Sequence, residues 1–236
     1  MDLFERPVRL RMPFRFGVVT MTEAPQAFVR ARIAVQGKES DGVAAELLAP
    51  KWFDKNPALS NEDNFEQLRN SMRQARAAYL AGGENTAFGH SRPTVGLVEN
   101  FGPALLDRAL LDALCRGLGV SFYQAVRTNL PMVSVPGLNM NLFLAGLSPA
   151  NQIAARHTVG LVDPITALDN KSPVRDGLPE TLEEVIARYG HRWFKLKVGG
   201  NLKADIERLS AIASVLDHLP QPYHASLDGN EQYRDV

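Results

Sequence analysis

WFKLKVGG, residues 193–200, and LDGNEQ, residues 227–232, are the two stretches that decide how this chain folds. Side chains alternate faces along a β-strand, so Trp193, Lys195 and Lys197 share one face of the first stretch while Phe194, Leu196 and Val198 share the other. Between the two stretches the pattern from Leu202 to Leu219 is helical, with Asn201 placed to cap its start and Pro220 to close it. Strand, helix and strand in that order make a βαβ unit, whose strands pair in parallel through a right-handed crossover. Lys197 and Asp228 then lie near the carboxyl ends of neighbouring strands, where α/β sheets place their ligands.

The same residues carry a resemblance. KLK at Lys195 to Lys197, with Asp228 following thirty-one positions after Lys197 in D-G-N, resembles the enolase superfamily in its mandelate racemase and muconate lactonizing enzyme branch. ALLDALCRGLGVSFYQAV, Ala109 to Val126, looks like a helix of that family's capping domain, and RMPFRFG, Arg11 to Gly17, looks like its N-terminal specificity loop. The resemblance implies an α/β protein with an α+β part: an N-terminal α+β capping domain over residues 1–155, then the first strands of a (β/α) TIM-type barrel over residues 156–236. It implies that Lys197 and Lys195 are catalytic, that Asp228 is a Mg²⁺ ligand, and that Asn230 hydrogen-bonds behind that ligand. Loops at about Pro13 to Thr22 and Leu48 to Asn56 would close over the substrate, with Arg15, Phe16, Trp52 and Phe53 choosing it. The implied substrate is a small carboxylate and the implied assembly a homo-oligomer. Family members carry two more acidic metal ligands and an opposing acid/base residue on later strands. A barrel takes about 250 residues and roughly 80 follow Arg156, so the chain is expected to be a fragment, inactive by itself.

Composition bounds the other possibilities. The 236 residues are 45% apolar and 22% charged, which is ordinary for a globular chain with a sizeable core. Lys plus Arg and Asp plus Glu number 26 each, so no net basic field draws nucleic acid or an anionic membrane surface. A small molecule is the better default partner. The single cysteine, Cys115, cannot form an internal disulfide, and MDLFERPVRLRMPF at the N-terminus lacks the apolar core of a signal peptide. No apolar run approaches the roughly 20 residues that span a bilayer. A soluble cytoplasmic protein is expected.

Along the chain, residues 1 to about 50 read as strands and turns. FVRARIAVQ, Phe28 to Gln36, alternates with Val29, Ala31, Ile33 and Val35 on one face; GKESDG, Gly37 to Gly42, supplies a turn, and Val43 to Leu48 returns as the next strand. Pro50 and Pro57 bracket KWFDKN, whose Trp52 and Phe53 either meet substrate or pack on their own domain. Ser60 caps a helix with Phe65, Leu68, Met72 and Ala75 at helical spacing, ending at Gly82-Gly83. AGGENTAFGH, Ala81 to His90, has glycines but no Lys-Ser/Thr ending, so it reads as a connector and not a phosphate loop. A second helix is expected from Pro103 to Leu118, with Cys115 beside its apolar stripe as a structural cysteine. HTVGLV, His157 to Val162, reads as the first strand of the barrel, with His157 either facing its interior or serving structure. Thr181 and Glu184 form a capping box for a helix from Leu182 to Tyr189 that ends at Gly190.

The lysines have a chemistry to offer. Removing a proton from the carbon next to a carboxylate gathers two negative charges on the carboxylate oxygens, and a divalent cation with an amine base meets that demand. Alternate residues on a strand sit ~7 Å apart, where two ammonium groups repel by roughly 2 kcal/mol at an effective dielectric near 20, enough to lower one pKa. Lys197, nearer the open end, is the expected base, with Lys195 tuning it and neutralising the carboxylate. Two alternatives use the same residues: a Schiff-base, aldolase-like barrel that needs no metal, and a non-catalytic remnant that binds a ligand or partner.

Overall fold

The computed structural model describes residues 1–91 and 93–233, and they divide into two compact units. The first comprises Met1–Val8 and Ala24–Ala150, the second Arg9–Glu23 and Asn151–Val236. This division falls at residue 150 and assigns residues 9–23 to the second unit.

A three-stranded sheet of order β1-β2-β3 is formed by β1 (Asp2–Phe16), β2 (Val19–Val35) and β3 (Lys38–Leu47). Two expectations change here. The stretch Arg11 to Gly17 is not a loop: the strand runs to Phe16, and only Gly17 and Val18 form the turn. The second turn is shorter than GKESDG, because Gln36 (φ +50°) and Gly37 (φ +75°) close a two-residue turn that matches strand twist. Val35 therefore pairs with Lys38, and Glu39 to Asp41 belong to the strand, where Asp41 meets Arg32 at 2.7 Å.

Helix α1 (Asn61–Ala81) starts in a capping box in which Ser60 and Asp63 exchange hydrogen bonds. It buries Leu68, Met72, Ala75 and Tyr79 against Ala27, Val29 and Ala31 of β2 and against Phe101, Leu105, Leu106 and Ala109. Those last four lie on α3 (Leu97–Leu118), which follows the short α2 (Ala87–His90) and begins six residues before the expected Pro103. Proline lacks the N–H that would bond the carbonyl four residues back, at Glu99. Ser71 of α1 replaces it: its hydroxyl donates to Glu99 O at 2.9 Å and accepts from Gly102 N–H at 2.8 Å. The helix continues through its proline because a neighbour satisfies the orphaned acceptor. Close approach also fixes Gly42, where a Cβ would fall 2.1 Å from the Ala113 nitrogen. Cys115 is buried, and burial, then Asp112, pushes its thiol pKa up, as suits a structural cysteine. Two short helices, α4 (Phe122–Arg127) and α5 (Met140–Ala145), complete this unit.

In the second unit β4 (Arg156–Val159), β5 (Trp193–Lys197) and β6 (His224–Asp228) form a parallel sheet of that order, with α6 (Leu182–Tyr189) and α7 (Leu202–Leu216) as its connections. Helix α6 has the expected bounds, with the Thr181–Glu184 box and Gly190 at φ +63°. Strand β4 stops three residues short of Val162. Asp163 accepts the Gly160 N–H at 2.7 Å, and Arg208 of α7 donates to the carbonyls of Gly160 and Asp163 at 2.6 and 2.9 Å, which pulls the chain into a turn. Helix α7 ends before Leu219 because His218 and Leu219 bond three residues back, to Val215 and Leu216, tightening the last turn. One face of the sheet builds the core from Val159, Phe194 and Leu196 with Leu182, Ile212 and Leu216. This α+β unit followed by parallel β/α strands is the fold class expected from the sequence.

Candidate active site at the carboxyl ends of the parallel strands

The core face of β5 leaves Lys195 and Lys197 on the other. Phe194 and Leu196 are buried in the core, Trp193 is 40% exposed, and Lys195 is half-buried. Lys197 is the exception on its face: it is 2% exposed. Parallel pairing then sets its partner, since Lys197 stands opposite Asp228 and Val198 N–H bonds Asp228 O at 3.1 Å.

The side chains converge accordingly. Lys197 Nζ donates to Asp228 Oδ2 at 2.8 Å and to Asn230 Oδ1 at 2.6 Å, and Lys195 Nζ lies 2.9 Å from the same Asp228 Oδ2. Two ammonium groups on one oxygen are closer than the ~7 Å spacing of alternate strand residues. Burial lowers the Lys197 pKa; the Asp228 hydrogen bond opposes this and the Lys195 charge adds to it. Burial pushes the Asp228 carboxyl up, but hydrogen bonds from Lys197, Lys195 and the Asn230 N–H outweigh it and hold the carboxyl well below the usual range. Asn230 and Glu231 follow in the left-handed region, φ +48° and +61°, a conformation that costs of order 1–3 kcal/mol per non-glycine residue and collects at functional sites.

The hairpin end between β1 and β2 borders this loop. A Cβ on Gly17 would lie 3.4 Å from Gln232 Nε2 and 3.8 Å from the Asn230 Cβ. Phe16 is buried at 4% exposure, with its ring 5.7 Å from that of Phe14, and the Arg15 carbonyl accepts the Leu161 N–H at 3.2 Å. Arg11 anchors the same strand through paired 2.6 Å bonds to Asp176, whose carboxyl the guanidinium holds down at about 2. Trp52 and Phe53 belong to the first unit. There Phe53 packs edge-on against Phe101 at 5.0 Å as part of that unit's core, and Trp52 is 42% exposed.

His157 does not share the lysine face. It pairs in register with Phe194, stacks 5.7 Å from His191, and lines a cavity of about 230 Å³ with Met12, Phe14, Val159, Asp163 and Leu182. Sequence reasoning missed Tyr233 and the Asp205 carboxylate that its hydroxyl donates to at 2.8 Å, which binds both loops behind Lys197. An acid in the first turn of a helix just after Gly199-Gly200 is the only signal it leaves.

Octahedral Mg²⁺ needs several oxygens. Among the described residues no group of three His, Cys, Asp or Glu side chains could hold a metal ion, and both Asp228 oxygens already accept hydrogen bonds. The described residues do not by themselves fit the ion. No helix among them is long and apolar enough to cross a membrane.

No protein-family model and no curated protein matches the chain. Solved structures do. A muconate lactonizing enzyme from Mucobacterium Smegmatis, complexed with muconolactone, is 18% identical with a TM-score of 0.63, the match covering 98% of this chain and 52% of that one. An N-succinyl Arg/Lys racemase from Bacillus cereus is 17% identical with a TM-score of 0.60, over 98% and 51%. A substrate-liganded L-Ala-D/L-Glu epimerase from Bacillus subtilis is 17% identical with a TM-score of 0.57, over 99% and 53%. At such identities the likeness is one of fold, and the chain spans about half the length of the structures it resembles.

Proposed function

We propose that this chain, whose fold is that of the mandelate racemase and muconate lactonizing enzyme branch of the enolase superfamily, carries the base half of a site that removes the proton α to a carboxylate. The observation behind this is Lys197, an amine buried against Asp228 and Asn230 with a second lysine on the same carboxylate. In its neutral form Lys197 takes the α proton on Nζ, and the C–H bonding pair passes into the substrate's enediolate. Lys195, a half-exposed cation beside it, hydrogen-bonds the substrate carboxylate and offsets the charge that gathers there. Mg²⁺ would need oxygen ligands that the described residues do not supply. Racemisation, epimerisation and dehydration begin with this step, and so does cycloisomerisation in the direction that opens a lactone, where loss of the α proton expels the ring carboxylate. A small carboxylate is the partner, and the names of the similar structures suggest which to try: N-succinyl amino acids, Ala-Glu dipeptides and muconolactone.

Because the chain alone is expected to be inactive, the test is incubation in D₂O with that panel of a protein that carries this chain together with the later strands and acidic ligands the resemblance implies. Deuterium at the α carbon, read by NMR, is the expected result. If no acid exchanges, the proposal fails. If borohydride with substrate leaves a reduced adduct on Lys197, the Schiff-base alternative replaces it.

A further inference from the structure

We infer that Asp205 and Tyr233 are positioning residues, which hold the loop after β6 so that Asn230 orients the Lys197 amine; this rests on Lys197 being the base. Asp205 lies in the first turn of α7 and is 6% exposed. Its Oδ1 accepts the Gly199 N–H at 2.7 Å, and its Oδ2 accepts the Gly200 N–H at 2.9 Å and the Tyr233 hydroxyl at 2.8 Å. One buried carboxylate thus joins the loop after β5 to the loop after β6. The loops touch directly: a Cβ on Gly200 (φ +83°) would fall 2.5 Å from Gln232 O.

The second loop needs such an anchor. Asn230 and Glu231 keep left-handed backbones, a conformation that persists only where the surroundings hold it. At the near end Asp228 Oδ1 accepts the Asn230 N–H at 3.2 Å, in the middle Gln232 Nε2 donates to Asn230 O at 3.0 Å, and at the far end stands the Tyr233 hydroxyl. Fixed from both sides, Asn230 presents its Oδ1 to Lys197 at 2.6 Å. The consequence is directional. A neutral amine has two N–H bonds, and giving one to Asp228 and one to Asn230 aims its lone pair away from both. Displacing Asn230 removes one of the contacts that set the rotation of the amine about its last bond.

The test uses the whole chain with Tyr233→Phe, which removes one hydroxyl from a 44% exposed side chain, and with Asp205→Asn. The Asn230 side-chain amide is followed by ¹H–¹⁵N NMR and backbone amides by hydrogen exchange. In Tyr233→Phe the Asn230 side-chain signal should move, and the Gln232 amide should exchange roughly ten-fold faster, while Leu196 and Val198 in and beside β5 keep their protection. Asp205→Asn should do the same and also free the Gly199 and Gly200 amides. An Asn230 signal unmoved in both variants would overturn the inference, whether or not the protein exchanges an α proton. Equally, a moved signal in a protein that exchanges nothing would uphold the positioning and leave only the assignment of Lys197 as base to fall.

Discussion

Lys197 and Asp228 stand directly opposite each other on parallel strands, and their side chains meet at 2.8 Å. The backbone ladder, not a loop, sets this pair. Asp228 also holds Lys195, so one carboxylate offsets two cations, one of them buried.

Asp228→Asn should therefore destabilise the second unit by up to about 3 kcal/mol, because it takes from the buried Lys197 and the neighbouring Lys195 the carboxylate they share. Adding Lys195→Met should recover part of the loss by removing the competing cation. Urea midpoints of the wild type, single and double variants measure both effects. A single variant as stable as the wild type would show that the carboxylate is dispensable to folding.

Gly42→Ala should destabilise the first unit by about 1–3 kcal/mol or more, because the new methyl meets the backbone of α3 at 2.1–2.2 Å and backbone does not yield as a side chain would. Ser71→Ala should cost about 1–3 kcal/mol by leaving Glu99 O and Gly102 N–H unsatisfied beside Pro103. Chemical denaturation reads both, with unchanged far-UV circular dichroism as the control.

His157 makes stability depend on pH. Burial, and then the neighbouring His191, lowers its pKa below 6.5, so the unfolded chain binds the proton more readily. Stability should be complete above pH 6.5 and should fall as the pH drops below it. Urea midpoints at about pH 7.5 and about pH 5.5 check the slope, and His157→Phe should flatten it. A slope unchanged in the variant would assign the effect to another group.

The parts legible in the sequence were those with local rules. Alternation along WFKLKV, the capping box at Thr181 and the crossover from β5 to β6 each depend on neighbours within a few residues or on one handedness, and each stands in the fold. What escaped were features decided by distant partners. Pro103 lies inside α3 because Ser71, thirty-two residues earlier, meets the orphaned carbonyl. Strand β4 ends early because Arg208 holds its turn, and residues 11–16 form strand where a loop was expected. In the site, strand period and parallel pairing gave Lys197 and Asp228, whereas Asp205 acts across two loops whose meeting no local pattern records.

The central claim is that Lys197 is the base, and the most direct measurement is α-proton exchange in D₂O by Lys197→Ala beside the wild type, with whichever acid of the panel the wild type exchanges. Lys197→Ala should exchange about 10²-fold or more slowly with the fold retained, the usual contribution of a positioned general base. Exchange at the wild-type rate in Lys197→Ala would contradict it.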